Sequence, residues 1–146
     1  MVDVGEKPAT KRRAEAVAIV TTTASVARAI LDGTAPKGDV AAVARVAAIQ
    51  ATKKTSELVP LCHPLALTHV TADVEVSSAR DVGTVRVVVV AECVGPTGVE
   101  MEAMCGASIG ALAVYDMIKG MDRGALVSRV ELVAKSGGRS GDWRRR

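Results

Sequence analysis

Four ionisable residues stand near the two ends of one apolar stretch, residues 98–120, and could exchange protons with a bound molecule. Glu100 and Glu102 lie at the front of this stretch, and Asp116 and Lys119 lie at its back. Carboxyl and amino groups act as general acids and bases when a fold holds them against a substrate. Six of the 13 residues between Glu102 and Asp116 are glycine or alanine, which predicts a helix that packs closely on a neighbouring backbone.

The spacing of these groups limits how they could act together. Glu102 and Asp116 are 14 positions apart, which corresponds to about 21 Å along a helix that rises 1.5 Å per residue. A single small molecule cannot touch both residues of one subunit. If both act on a substrate, either an oligomer brings the front of one helix near the back of another, or the protein has two sites.

A second candidate site is the segment Leu61-Cys62-His63, which lies between Pro60 and Pro64. Each proline restricts its own φ and the conformation of the residue before it, so we expect His63 in an extended segment with little freedom. The imidazole could donate or accept a proton, or contact a phosphate. A zinc site is disfavoured because paired ligand spacing is absent. A Cys/His nucleophilic pair is disfavoured because adjacent side chains in an extended chain point apart.

Basic residues at three further places suggest contact with an anion. Lys37 precedes Asp39, a predicted helix N-cap, where an anion could bind, although this feature alone favours an ordinary surface lysine. The tail, residues 135–146, is glycine-rich and basic, and its Lys135 could cradle a phosphate with freed backbone amides. A disordered, solvated tail is the alternative. The arm, residues 1–13, contains Lys11, Arg12 and Arg13, and a solvated arm is favoured over an anion contact.

The composition restricts the remaining possibilities. With 146 residues and a net charge of +3, the sequence predicts a single domain, 1–146, with a weak preference for anionic ligands. Tyr115 and Trp143 are the only aromatic residues, so we expect no nucleic-acid partner that stacks bases on aromatic rings. Three cysteines without CxxC spacing fit a reducing compartment. No signal peptide is evident, and the apolar stretch is short and carries Asp116, so we expect a cytoplasmic protein without a membrane span.

Hydrophobic periodicity predicts seven elements in the order strand, two helices, two strands, helix, strand. This order indicates an α+β fold, a ferredoxin-like βαββαβ arrangement with an extra helix, in which helices cover one face of an antiparallel sheet. The predicted strands are residues 14–22, 68–76, 84–94 and 125–134, and the predicted helices are residues 24–31, 40–56 and 98–120.

Together and in this order, the sequence motifs resemble those of the MoaC family, the cyclic pyranopterin monophosphate synthases of molybdenum cofactor biosynthesis. The resemblance covers nearly the whole chain. Its motifs are MVDV at the start, KGD at 37–39, KKTxxLxPLCHPL at 53–65, TGVEMEA at 97–103, YDMxK at 115–119 and AKSGGxSG at 134–141.

The resemblance implies a function and a set of site residues. The family converts the 3′,8-cyclised dihydro form of GTP into cyclic pyranopterin monophosphate and releases pyrophosphate, as a homohexamer, a trimer of dimers, with intersubunit sites. The implied catalytic residues are Asp116, Lys119 and Lys37, and the implied substrate-binding residues are Leu61, Cys62, His63, Glu100, Met101, Glu102 and Lys135. No metal site or cofactor is expected, apart from a divalent cation carried by the substrate phosphates. The alternative is a non-catalytic, nucleotide-binding regulatory module, which would bind the substrate without consuming it.

Overall fold

A computed structural model describes all residues from Met1 to Arg146. The chain forms an α+β fold with one antiparallel sheet and helices on one of its faces. In chain order, the elements are β1 (Thr10–Thr23), α1 (Ala24–Leu31), α2 (Val40–Lys53), α3 (Thr55–Leu58), β2 (Leu67–Ala79), β3 (Val82–Gly95), α4 (Glu100–Ile118), β4 (Leu126–Ser136) and β5 (Trp143–Arg144).

The sheet has the strand order β2-β3-β1-β4-β5, and every neighbouring pair is antiparallel. Its centre is the pairing of β1 with β3, in which Val17 lies opposite Val88. Alternate residues of these strands, such as Ala16 and Val87, are fully buried beneath the helices. The predicted α+β fold with its ferredoxin-like arrangement is confirmed.

Several element boundaries differ from the predicted ones. The strand β1 begins at Thr10 and not at residue 14, so the basic residues 11–13 belong to the sheet. The hairpin between β2 and β3 is tighter than predicted, because only Arg80 and Asp81 join the strands, and Arg80 adopts a positive φ of 53°. The tail is not a wholly irregular terminus, because β5 pairs with the end of β4.

The predicted helix 40–56 is two helices. It ends at Lys53, and a single turn begins at Thr55. Thr52 donates its hydroxyl to the carbonyl of Ala48 at 2.9 Å, and Thr55 donates to the carbonyl of Thr52 at 3.1 Å. Threonine hydroxyls that bond to nearby carbonyls compete with the helical ladder and favour a bend. This break turns the chain towards the segment that carries His63.

The helix α4 packs against α2 and against β1, β3 and β4. Two glycines allow the close approach: a Cβ added at Gly106 would meet the carbonyl oxygen of Ala48 at 3.0 Å, and one at Gly110 would meet Val87 Cγ1 at 2.8 Å. The predicted close backbone packing therefore occurs within the subunit. By length and composition α4 could cross a membrane, but half of its apolar window is buried inside the protein, as in a core helix.

Candidate active site

The back cluster consists of Lys37, Asp116 and Lys119, which meet at the C-terminal end of α4. Asp116 Oδ1 lies 2.7 Å from Lys119 Nζ, and Asp116 Oδ2 lies 2.8 Å from Lys37 Nζ. Lys37 comes from the loop between α1 and α2, and its ammonium also donates to the backbone carbonyl of Asp116 at 2.9 Å. A cation at this end of a helix satisfies a free carbonyl and opposes the helix dipole. Lys37 is therefore held in place by two contacts with Asp116.

The ionisation of the back cluster follows from these contacts. The hydrogen bond from Lys119, followed by that from Lys37, lowers the pKa of Asp116 from its ordinary 3.8 to about 2. Asp116 in turn raises the pKa of Lys119. All three side chains are half-exposed, and the two shifts keep Asp116 ionised and Lys119 protonated at neutral pH. A catalytic group works best with a pKa near the working pH, so Asp116 and Lys119 are poorly matched to proton transfer while they are paired.

At the other end of α4, Glu102 is buried, with only 4% of its surface exposed. Its Oε2 has no hydrogen-bond partner. Burial raises the pKa of Glu102, a backbone hydrogen bond opposes this shift, and the nearby Glu100 adds to it. A carboxyl group in this setting holds its proton at a higher pH than an exposed glutamate does. It suits a proton donor or acceptor better than the strongly ionised Asp116.

The segment Leu61-Cys62-His63 lies beside Glu102, and these residues line one cavity. Leu61 lies in the turn that includes Pro60, Cys62 and His63 follow outside any helix or strand, and His63 is half-buried. Burial raises the pKa of Cys62, and the nearby Glu102 and Cys105 raise it further. The thiol is therefore protonated at neutral pH, which argues against a nucleophilic cysteine. A mixed cavity of about 430 Å³ is lined by Leu61, Cys62, His63, Met101 and Glu102, among others.

A glycine loop, residues 137–141, closes the adjoining part of the site. Lys135 reaches into it: its Nζ lies 3.0 Å from Glu100 Oε1 and donates to Ser140 Oγ at 2.7 Å. Gly137 and Gly138 have φ values of 86° and 77°, which favour glycine. The loop is tied down, because the Gly137 amide donates to Asp142 Oδ1 at 3.2 Å.

The glycine loop borders a polar cavity of about 720 Å³. Five basic side chains line it, against two acidic ones, so an anion is the complementary ligand. One of the five, Arg12, packs against Gly138 and donates to the carbonyls of Gly95 and Pro96 at 3.3 Å. The basic residues are Lys7, Arg12, Arg13, Lys135 and Arg139, and the acidic ones are Glu6 and Glu100.

Sequence reasoning assigned no site role to three of the residues around these cavities. Lys7, Thr97 and Gly98 line both the polar and the mixed cavity, as does Glu100. The only sequence signal for Lys7 was its position in a basic arm, which fits a solvated segment equally well. Because these four residues line both cavities, the two cavities form one continuous front site at the N-terminal end of α4.

The structure brings the predicted residues into two groups. Around the front site lie Leu61, Cys62, His63, Glu100, Met101, Glu102 and Lys135. The back cluster stands apart at the far end of α4, about 21 Å away at 1.5 Å per residue. No three His, Cys, Asp or Glu side chains come together as metal ligands would.

Comparison with known proteins identifies the same family as the sequence motifs that form these two groups. The sequence model of the MoaC family matches residues 1–138. The chain belongs to the MoaC family. The match includes every predicted site residue, from Lys37 to Lys135. A MoaC relative, "Cyclic pyranopterin monophosphate synthase" from Thermomicrobium roseum (strain ATCC 27502 / DSM 5159 / P-2), is 50% identical over 145 residues, 99% of this chain and 86% of the relative. The predicted family is therefore confirmed.

Proposed function

We propose that this protein converts the 3′,8-cyclised dihydro form of GTP into cyclic pyranopterin monophosphate with release of pyrophosphate. The family match over residues 1–138 and the relative that is 50% identical support an enzyme of molybdenum cofactor biosynthesis. The observation that carries the proposal is the front site, where a basic polar cavity adjoins a buried carboxyl group. Such a site can hold phosphates and move protons on the same molecule.

The active site in this proposal is shared between subunits. Within one chain, α4 holds Glu102 and Asp116 about 21 Å apart, so one substrate cannot reach both. In a homohexamer, a trimer of dimers, the back cluster of one subunit would complete the front site of another. Closed oligomers of this kind place complementary surfaces of identical chains against each other.

The front site would bind the phosphates and exchange protons. Lys135 and the backbone amides of residues 138–140 would hold phosphate oxygens and stabilise the charge that develops on departing pyrophosphate. Glu102 and His63 would transfer protons as the purine ring opens and the pterin ring closes, since neither step is a redox reaction. Glu102 is suited to this role because burial keeps its pKa raised.

The back cluster would act on the reacting part of the molecule. Asp116 and Lys119 start as an ion pair of 2.7 Å. A ligand that separates the pair would bring the pKa of Asp116 back up towards its ordinary 3.8, which makes the carboxylate a better proton acceptor. Lys37 would stabilise negative charge beside them.

The remaining properties follow from the same reaction. A nucleotide-derived substrate made by earlier enzymes suits a soluble, cytoplasmic protein. The reaction as proposed needs no resident cofactor, and a divalent cation would enter with the phosphates, which are good ligands for it. The partners are the substrate and other copies of the chain, with no nucleic acid or membrane.

The direct test is incubation with the cyclised GTP intermediate, followed by chemical oxidation of the product and detection of the resulting pterin. Substitutions Asp116→Asn and Lys119→Ala should each lower turnover by about a hundredfold or more, as loss of a positioned acid or base does. Folding and substrate affinity should change little. Binding without consumption by the unmodified protein would favour a regulatory module instead.

Mixing two defective variants tests whether sites are shared. Asp116→Asn damages the back cluster, and Lys135→Ala damages the front site. Co-expressed in equal amounts, they should regain about a quarter of the parent turnover, because that share of intersubunit sites combines two intact halves. Turnover no higher than the average of the two separate variants would mean that each site lies within one subunit or that the roles are misassigned.

A further inference from the structure

A third cavity, of about 360 Å³, lies beside the back cluster. It is lined by Lys37, Tyr115, Lys119, Gly120 and Arg123. Three of these residues are cationic at neutral pH. Arg123 lies in the turn after α4, beyond the YDMxK motif, and belongs to none of the motifs discussed above.

The charges around this cavity do not balance. Asp116 supplies one carboxylate, which binds Lys119 through one oxygen and Lys37 through the other. No carboxylate lies within 4.0 Å of a nitrogen of Arg123. Three cations therefore face one carboxylate, and the excess positive charge favours an anionic ligand.

The available N–H donors indicate the same ligand. An ammonium group has three N–H donors, and a guanidinium group has five. Lys37 uses two of its donors on Asp116. The side chain of Arg123 donates to no protein acceptor, and only its backbone carbonyl is contacted, by Tyr115 Oη at 3.5 Å. A guanidinium with unused donors in a planar fork fits the oxygens of a phosphate group.

The turn that carries Arg123 is fixed by its neighbours. Asp122 Oδ2 accepts a hydrogen bond of 2.7 Å from Thr22 Oγ1, and Asp122 Oδ1 accepts one of 2.9 Å from the Gly124 amide. The amide of Met121 donates to the carbonyl of Ile118 at 2.8 Å. The backbone of Arg123 is therefore held at the edge of the cavity.

We propose that Arg123 is a phosphate-binding residue that extends the back cluster. Its guanidinium binds phosphate oxygens in the cavity that Lys37 and Lys119 also line. Arg123 stays protonated throughout, so it binds and positions the anion and transfers no proton. The proposal rests on the proposed function only for the source of the phosphate, which would be the nucleotide-derived substrate or the pyrophosphate product.

The test uses Tyr115, the only tyrosine in the chain, as a reporter in the cavity. The protein is labelled with 3-fluorotyrosine and titrated with inorganic pyrophosphate while its single fluorine resonance is recorded. In the parent, this resonance should shift and saturate. In Arg123→Ala, half-saturation should need about tenfold more pyrophosphate, the loss expected for one hydrogen bond to a charged group. Arg123→Lys, which keeps the charge, should lie between the two.

A matched control is Arg129→Ala. Arg129 is an exposed arginine of β4, 3.6 Å from Glu131 and outside the cavity, so its loss should leave the titration unchanged. Circular dichroism of each variant verifies that it is folded. A Tyr115 resonance that pyrophosphate does not shift in the parent would overturn the proposal. So would equal half-saturation in the parent, in Arg123→Ala and in Arg123→Lys.

Turnover measurements test the role of Arg123 independently. With the cyclised GTP intermediate, Arg123→Ala should raise KM about tenfold, with kcat within a few-fold of the parent, because the lost contact is a binding contact. A parent protein without turnover would contradict the proposed function, while the pyrophosphate titration would still decide the role of Arg123.

Discussion

The contact between Gly106 of α4 and Thr52 of α2 gives a sharp test of how the two helices pack. A Cβ at Gly106 would collide with Thr52 Oγ1, and it would also lie 3.0 Å from the carbonyl oxygen of Ala48 and 3.1 Å from Val89 Cγ1. Thr52 cannot turn away without cost, because it is 1% exposed and its hydroxyl donates to the Ala48 carbonyl at 2.9 Å. The substitution Gly106→Ala should therefore destabilise the fold.

Three effects determine the change in the free energy of unfolding, two of them destabilising and one stabilising. Overpacking one methyl group costs about 1 to 3 kcal/mol. A buried hydroxyl that loses its partner costs about 1 to 3 kcal/mol more. Alanine gains about 1 kcal/mol over glycine in a helix. The net expectation for Gly106→Ala is a loss of about 1 to 5 kcal/mol in the free energy of unfolding.

The assay is urea unfolding followed by far-UV circular dichroism at one protein concentration, because assembly makes stability concentration-dependent. Gly120→Ala is the control, since nothing lies within 4 Å of a Cβ at Gly120, and its change should stay within about 0.5 kcal/mol. Removing the colliding hydroxyl with Thr52→Ala should make the double variant less unstable than the sum of the single ones. A Gly106→Ala variant as stable as the parent would refute the close packing of α4 on α2.

Three further predictions concern the two ends of α4. Gly138→Ala should weaken substrate binding, because the added Cβ would displace Arg12. The control Gly33→Ala has a similar φ of 69° but open space around it, so it should strain the backbone without weakening substrate binding. Equal substrate dissociation constants for the two variants would contradict this prediction. The pKa of Asp116 is lowered in the folded protein, so the stability that its ion pairs contribute is complete above about pH 3.8 and is lost as the pH falls through about 2. An NMR titration of the Asp116 carboxyl carbon measures this pKa, and a midpoint near 3.8 would contradict the prediction. Lys135→Ala should weaken binding of the triphosphate substrate more than binding of a nucleoside without phosphates, as measured by calorimetry. Equal losses of affinity for the two ligands would assign Lys135 a role in folding or base recognition.

The strands and most helix boundaries could be predicted because they depend on local patterns. Alternating apolar and polar residues predicted β2, and runs of strand-forming residues predicted β1 and β3. The helix α1 ends at Leu31, as expected before Asp32 and Gly33. The break after Lys53 was missed because it depends on which acceptor the Thr52 hydroxyl finds in three dimensions. The short strand β5 was missed because its partner, β4, lies across a glycine-rich loop.

The site could be predicted only in part. The motifs named the residues, but the sequence could not show that Lys37 reaches Asp116, 79 positions along the chain. Nor could it show that Glu102 is buried while Glu100, two residues earlier, pairs with Lys135. These differences depend on long-range packing, and they separate Glu102, whose pKa is raised by burial, from Glu100, which forms an ion pair.

The small side chains of the core also determine how this protein should be probed by mutagenesis. More than half of its buried apolar residues are alanine, including Ala44 and Ala48 of α2 and Ala103, Ala107 and Ala111 of α4. Alanine scanning, which detects a residue by deleting its side chain, leaves these positions unchanged and would therefore find most of the interior silent. A scan that enlarges each position, from alanine to valine or leucine, would reveal the positions that fix the helices on the sheet.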